Sequence, residues 1–171
     1  MSSPIAHPRR SPRQERSRLM VSRILDAGRT VLIQHGYDGT TTNLIAKEAD
    51  ISPGSLYQYF PNKDVIIAAI VDDRLRLAHA RLAAIDGLIV HETIASAPAF
   101  LTFTPPAPIA VGLVDTLRQA GIAIATVGLD YARWELRARG LSEVLRVAPH
   151  AYTSAEDIER FAGIVAAEVT G

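Results

Sequence analysis

A chain of 171 residues can bury one good core or two small ones. It contains no cysteine, which excludes disulfides, thiolate catalysis and cysteine-ligated metals and is typical of a reducing cytoplasm. Basic and acidic side chains balance at 18 each, and no apolar run approaches the roughly 18 residues of a membrane-spanning helix. We therefore expect a globular cytoplasmic protein with no membrane partner.

The charge is unevenly distributed along the chain. Residues 1–30 contain seven arginines against Glu15 and Asp26, a net charge of +5, whereas residues 31–86 and 87–171 carry −2 and −3. Residues 1–16 are rich in Ser, Pro and Arg and lack the apolar stretch of a secretion signal, which predicts a disordered Arg-rich tail. A basic tail before a near-neutral body favours a polyanionic partner; the alternative is a purely solubilising role.

Residues 17–86 have the pattern of an all-helical domain. The first helix carries one apolar stripe and ends at Gly36, where a left-handed backbone costs glycine least. The hydroxyls of residues 40–42 cap a second short helix over residues 43–49, and Ser52-Pro53 begin a third that runs to about Phe60. Asn62 caps a long fourth helix whose apolar residues keep the 3.6-residue period.

The pattern changes after residue 86. Residues 87–98 are predicted to be a linker, and residues 99–171 a small α+β segment. Strands are predicted at residues 99–104, 122–127 and 143–147, and a helix at residues 109–120. A capping-box pattern at Thr153-Ser154 begins a last helix that runs to about Glu168.

The second and third helices have the spacing of a helix-turn-helix. In such a pair one helix braces another, whose first residues enter the major groove of B-DNA, about 12 Å wide. The apolar side would bury Leu44, Ile45, Ala46, Ala49, Ile51, Leu56 and Phe60. The outward side, which we predict to contact DNA, consists of Thr42, Asn43, Pro53, Gly54, Ser55, Tyr57, Tyr59 and Lys63. Small residues at the start of the third helix allow close approach to bases, and hydroxyls and an ammonium suit phosphates.

These residues carry a resemblance to a known family. The runs ILDA from Ile24, GYDGTTT from Gly36, IAKEA from Ile45 and LYQYFPNK from Leu56 resemble the N-terminal domain of TetR-type transcriptional regulators, in register from about Arg23 to Ile70. The resemblance implies that the eight outward residues contact operator DNA. Two positions depart from the family pattern. Asp50 stands where a turn glycine is usual, and Tyr59 where histidine is common.

The second half resembles a different family. VGLVDTLRQAGIAIA from Val111 and VLRVAPHAYT from Val144 resemble the small C-terminal domain of class V aminotransferases, pyridoxal-phosphate (PLP) enzymes that include cysteine desulfurases. The resemblance implies that Arg146 matches an arginine that binds a substrate carboxylate; a surface or structural role is the interpretation that we favour. PLP needs a lysine for its Schiff base. The chain contains only Lys47 and Lys63, both in the helix-turn-helix region.

We therefore predict no catalytic residue, no cofactor and no metal site. The sequence favours a DNA-binding transcriptional regulator, expected to be a repressor, whose partner is double-stranded operator DNA and whose effector is unknown. The alternative is a fused or truncated product that carries an aminotransferase-like segment without activity of its own. We expect any homodimer to use the second half or the fourth helix and to be weaker than an obligate dimer. The strand at residues 99–104, with Phe100 and Phe103, is expected to leave an edge or an apolar face open.

Overall fold

The computed structural model describes residues 12–93, 99–106 and 110–170. In these ranges the chain forms seven helices and four strands, and it divides into two compact units, Met1–Ile70 and Val71–Gly171. The first unit is helical and the second is α+β, which confirms the predicted fold class. No helix in the described ranges has both the length and the apolar character needed to cross a membrane.

The first unit begins with a long helix that bends at the predicted glycine. Its helices are α1 (Pro12–Gly39), α2 (Thr42–Glu48), α3 (Pro53–Tyr57) and the start of α4 (Lys63–Ala83). Gly36 leaves the helical conformation with φ 68°, a value that favours glycine. The Thr40 amide and hydroxyl both donate to the Gly36 carbonyl, at 3.1 and 2.6 Å. The chain is thereby turned into α2.

The start of α1 corrects the predicted tail. Residues 12–16 were expected to be disordered, but they form the first turn of α1. Pro12 suits this position because the first amides of a helix have no partner within it, and the residues that follow are good helix formers. Residues 1–11, the rest of the predicted tail, lie outside the described ranges.

Helices α1, α2, α3 and the beginning of α4 share one core. Its buried side chains include Ile24, Leu25, Val31, Leu32, Ile45, Leu56, Phe60, Ile66 and Ile70. Gly28 allows α1 and α4 to approach closely. A Cβ at this position would lie 3.0 Å from Ile66 Cγ2 and 3.3 Å from Ile70 Cδ1.

Helix α4 belongs to both units. The division falls between Ile70 and Val71, in the middle of the helix, whereas the sequence placed the boundary after residue 86. The reason lies in burial: Leu75, Ala78 and Leu82 pack in the core of the second unit. A continuous helical period of apolar residues predicts the helix, but it does not show in which of the two cores each turn is buried.

The second unit is built on a four-stranded antiparallel sheet. Its elements are β1 (Ile89–Val90), β2 (Leu101–Thr104), α5 (Ala110–Gln119), β3 (Ala125–Gly128), α6 (Leu129–Ala138), β4 (Glu143–Val147) and α7 (Ala155–Thr170). The strand order is β1-β2-β4-β3. In the centre Phe103 pairs with Leu145 and Thr102 with Arg146.

One face of this sheet packs on the helices of the unit. Phe103 is fully buried and meets Phe161 of α7 edge to face, with ring centroids 6.2 Å apart. Leu101 and Leu145 join them, together with Leu113 and Leu117 of α5. Along β2 and β4 the intervening residues Thr102, Val144 and Arg146 belong to the opposite face. They line a cavity of about 210 Å³ with residues of α6, which packs on β3.

Three features of the second half differ from the sequence prediction. The predicted linker contains β1, which pairs with β2. Helix α6 was not predicted from the sequence. Strand β2 was expected to leave an edge or an apolar face open, but it lies inside the sheet between β1 and β4, with Phe103 buried. Among the residues that the structure describes, β1 and β3 each pair with one neighbouring strand and are therefore the edge strands of the sheet.

Candidate nucleic-acid interface

The two helices of the predicted helix-turn-helix begin at side-chain caps. Thr41 precedes α2 and its hydroxyl accepts from the Leu44 amide at 3.2 Å. Ser52 precedes α3 and accepts from the Ser55 amide at 3.1 Å, with Pro53 at the first helical position. Both starting points agree with the sequence prediction to within a residue. The caps satisfy amides that the short helices could not pair internally.

Asp50 makes the turn between α2 and α3. Its φ is 51°, so the aspartate adopts the left-handed conformation for which the family pattern favours glycine. The amides of Asp50 and Ile51 donate back to the carbonyls of Lys47 and Ala46, both at 3.0 Å. The exposed Asp50 carboxylate also pairs with Arg23 of α1 at 3.2 Å. Local hydrogen bonds thus hold a turn that an aspartate adopts with some strain.

The inward side of the helix pair is close to the one predicted. Ile45, Ala46, Ala49, Leu56 and Phe60 are buried. Leu44 and Ile51 were expected to be buried as well, but both are half-buried. They lie at the border of the packed side. The packing of these buried side chains orients α3 relative to α2.

The outward residues lie on the surface or at its border. Asn43, Pro53, Gly54 and Tyr57 are exposed, whereas Thr42, Ser55, Tyr59 and Lys63 are half-buried. Two of them join the helices at the surface, since the hydroxyls of Thr42 and Tyr57 are 2.9 Å apart. The Ser55 hydroxyl lies 2.9 Å from that of Ser52. The start of α3 therefore presents small side chains, and a pair of hydroxyls lies between α2 and the end of α3.

The ammonium group of Lys63 is held by Tyr37, a residue that the sequence analysis did not select. Its Nζ donates to the Tyr37 carbonyl at 2.8 Å and lies 4.3 Å from the centre of the Tyr37 ring. The Tyr37 hydroxyl donates to Asp64 at 2.7 Å, and this hydrogen bond raises the pKa of Tyr37. Lysine has three N–H donors, so Lys63 keeps donors for a further acceptor. The sequence feature that could have pointed to Tyr37 was its position directly after Gly36, where the chain turns towards α2.

Arg146 has a structural partner in the second unit. It lies on β4 with an exposed side chain, and its guanidinium is 5.2 Å from the centre of the Phe100 ring. This contact does not test carboxylate binding, so the surface or structural role that we favoured stays a prediction. Among the residues that the structure describes, no three His, Asp or Glu side chains come close enough together to hold a metal ion.

Comparison with known families identifies the first unit. Residues 24–70 match the family described as "Bacterial regulatory proteins, tetR family". They form a TetR-type helix-turn-helix domain. The match spans the core of α1, both short helices and the start of α4, and it confirms the resemblance inferred from the sequence.

Curated relatives share this TetR-type domain. The chain is 37% identical over 62 residues to the HTH-type transcriptional regulator UidR of Escherichia coli, a region of 35% of this chain and 32% of UidR. It is 39% identical over 49 residues to the Bacillus subtilis regulator YvkB, covering 29% and 26% of the two chains. The fatty acid metabolism regulator protein of B. subtilis is 32% identical over 63 residues, covering 37% and 31%. The match spans about a third of the length of these relatives.

A solved structure resembles the chain in fold. The cysteine desulfurase CsdA of E. coli superimposes with a TM-score of 0.55 at 21% identity, covering 73% of this chain and 29% of that one. This likeness is consistent with the predicted resemblance of the second half. The residues present do not fit a PLP group, because the only lysines, Lys47 and Lys63, belong to the TetR-type domain.

Proposed function

We propose that this protein is a DNA-binding transcriptional regulator, acting in the cytoplasm, that contacts duplex DNA through α2 and α3. The observation that carries the proposal is the TetR-type domain at residues 24–70, with a set of small and hydrogen-bonding side chains on its outward side. The names of the relatives describe transcriptional regulators. We further propose that the protein acts as a repressor by occupying operator DNA.

The start of α3 supplies the closest approach to the bases in this proposal. Pro53 and Gly54 are exposed, and a Cβ built on Gly54 would meet only Ser52 Oγ, at 3.9 Å. The backbone of α3 can therefore approach a major groove that admits one helix. Ser55, one residue further along, would read a base edge in this arrangement.

The phosphate contacts lie on either side of α3 in this proposal. Thr42 and Tyr57 present paired hydroxyls, and Lys63 presents a charge whose position is fixed by Tyr37. Contacts of this kind orient a protein on DNA and carry no sequence information themselves. Asn43 and Tyr59 complete the predicted contact set. One helix-turn-helix reads few base pairs, so we expect two copies on neighbouring half-sites.

A matched pair of glycine substitutions tests the proposal. Gly54→Glu adds a bulky negative group where α3 would meet DNA, and the open space around Gly54 lets the domain keep its fold. Gly163→Glu is the control. Gly163 is also an exposed helical glycine, and a Cβ there would meet no atom within 4 Å, but it lies in α7. The probe is operator DNA selected by the parent protein from a duplex library.

We expect Gly54→Glu to weaken operator binding by at least about tenfold, since it places an unpaired charge in the interface. Gly163→Glu should bind like the parent protein. Equal binding by both variants in a gel-shift titration would refute the assignment of α3 to the groove. A reporter gene placed behind the selected operator tests repression: expression should fall when the parent protein is present and recover with Gly54→Glu.

An enzymatic role analogous to cysteine desulfurases has little support in this chain. The chain resembles a cysteine desulfurase in fold, but its second unit cannot supply the lysine that binds PLP, because no lysine follows Lys63. A PLP aldimine has a characteristic absorbance band. If the protein incubated with PLP showed that band and kept it after gel filtration, the enzyme hypothesis would regain support.

A further inference from the structure

Tyr37 contacts two opposite charges at the start of α4. Its carbonyl accepts from Lys63 Nζ at 2.8 Å, and the face of its ring lies 4.3 Å from the same ammonium. Its hydroxyl donates to Asp64 Oδ1 at 2.7 Å. Lys63 and Asp64 are neighbours in the first turn of α4, so a single residue of α1 holds both of them.

The bend at Gly36 places Tyr37 for these contacts. After the bend, the amide of the buried Thr40 donates to the carbonyls of Gly36 at 3.1 Å and of Tyr37 at 3.3 Å. The Thr40 hydroxyl donates to the Gly36 carbonyl as well, at 2.6 Å. The Tyr37 carbonyl therefore accepts from both Thr40 and Lys63. Since the Thr40 donors are shielded from water, these hydrogen bonds fix the orientation of the carbonyl.

The contacts with Tyr37 order the Lys63 side chain before any ligand is present. A free lysine side chain has several rotatable bonds, and holding it in one geometry on a phosphate costs conformational entropy. The carbonyl and the ring face together restrict the ammonium to one place. One of its three N–H donors serves the carbonyl, and the others remain for a phosphate oxygen.

The exposed Asp64 carboxylate would repel a phosphate that binds to Lys63. Because both charges contact the same tyrosine, they lie within about 10 Å of each other, one Debye length at 0.1 M salt. A phosphate on Lys63 therefore experiences the carboxylate as well. The hydrogen bond from Tyr37 fixes the carboxylate at the hydroxyl end of the ring, whereas the ammonium contacts the ring face and the backbone.

We propose that Tyr37 is a positioning residue for DNA binding. It presents the Lys63 ammonium to a phosphate, and it restrains the Asp64 carboxylate, which would otherwise approach and repel that phosphate. This role rests on the proposed function, because it concerns the phosphate contact of Lys63. Tyr37 acts through its two neighbours and needs no contact with DNA of its own.

A double-mutant cycle tests the role of the hydroxyl, with the operator selected by the parent protein as the probe. Tyr37→Phe keeps the carbonyl and the ring but frees the Asp64 carboxylate, and it should weaken binding by roughly three- to fivefold at low salt. Asp64→Asn removes a negative charge, which favours DNA binding in any background. The gain should be larger in the Tyr37→Phe background than in the parent, where the hydrogen bond already restrains the carboxylate.

Tyr37→Leu tests the role of the ring. Like Tyr37→Phe it frees the carboxylate, but it also removes the aromatic face that contacts the ammonium. The leucine variant should therefore bind the operator more weakly than the phenylalanine variant. In a Lys63→Ala background there is no ammonium to position, so the two variants should bind alike.

Controls separate this role from a loss of fold. Tyr131→Phe removes the hydroxyl of a tyrosine that is 90% exposed in the second unit, and it should leave DNA binding unchanged. Thermal unfolding of each variant shows whether the domain is intact. Ultraviolet titration of the parent, with that of Tyr37→Phe subtracted, reports on Tyr37 without DNA. The hydrogen bond with Asp64 raises the pKa of Tyr37 above its usual value of about 10, and Asp64→Asn should lower it again.

Three results would overturn this role of Tyr37. Asp64→Asn could bring the same gain in both backgrounds, the Phe and Leu variants could bind alike while Lys63 is present, or Tyr37 could titrate like an ordinary tyrosine. In each case, a parent protein that still loses operator affinity with Gly54→Glu would keep the proposed function. A parent protein that selects no duplex from the library would refute the proposed function, and the role of Tyr37 with it.

Discussion

Lys63 gives the sharpest test of the proposed DNA contact, because its effect can be expressed as a salt dependence. We predict that Lys63→Ala weakens binding to all duplexes in the same proportion. It should also lower the magnitude of the slope of log K against log salt by about 0.9, the contribution of one neutralised phosphate. Between about 50 and 200 mM salt, one such contact accounts for roughly a 3.5-fold change in affinity. The variant and the parent should therefore differ less at the higher concentration.

The structure supplies the controls for this measurement. Lys63→Arg keeps the charge and should keep the slope. Lys47→Ala removes the only other lysine of the chain, which lies exposed near the end of α2 and outside the proposed contact set, so its slope should change less. Because Lys63 also contacts the carbonyl and ring of Tyr37, the thermal stability of each variant must be measured alongside.

Fluorescence anisotropy with a labelled operator and a labelled unrelated duplex, each at four or more salt concentrations, provides the slopes. A Lys63→Ala variant that lost affinity with an unchanged slope would show that Lys63 acts by positioning Tyr37 and the neighbouring backbone. A loss confined to the operator would make it a base-reading residue. Either result would refute the phosphate assignment.

Three further predictions address specificity, the basic tail and packing. Ser55→Arg should change the preferred operator in a library selection, by about 1–3 kcal/mol per base pair read, and an unchanged preference would contradict the reading role of Ser55. Deleting residues 1–11 removes two arginines and leaves α1 intact. The affinity for DNA should fall at low salt and hardly at all at high salt. An unaltered affinity at low salt would show that this segment is merely solubilising. Gly28→Ala should destabilise the protein by about 1–2 kcal/mol, because the new Cβ would lie 3.0 Å from Ile66 and overpacking outweighs the gain in helix propensity. Gly163→Ala, in open space, should instead stabilise it by about 0.5–1 kcal/mol, and opposite signs in thermal unfolding confirm the distinction.

Much of the TetR-type domain could be predicted from the sequence because its signals are local. The positive φ at Gly36, the Ser52 cap before Pro53, and the Asn62 cap, whose side-chain oxygen accepts from the Val65 amide at 3.0 Å, each depend on residues within one turn. The buried and outward sides of α2 and α3 follow from the helical period in the same way. The left-handed turn at Asp50 was indicated by its position in the family pattern.

The second half gave weaker local signals, and two elements were missed. Strand β1 has only two residues, too few for an alternating pattern. Helix α6 places Leu129, Ala132 and Leu136 inward but also exposes Tyr131 and Trp134, so apolar residues occur on both sides. No single stripe stands out in such a segment, and its period was not recognised.

Only the tertiary structure decided which distant segments share a core. The apolar period of α4 is continuous, yet Ile70 packs with α1 while Leu75 packs with the sheet, because each turn is buried by whichever element faces it. The same holds for β2, whose place between β1 and β4 depends on pairing with residues more than forty positions away. Local conformation was set by neighbouring residues and could be predicted, whereas strand order and the division of α4 depend on long-range burial that no local pattern contains.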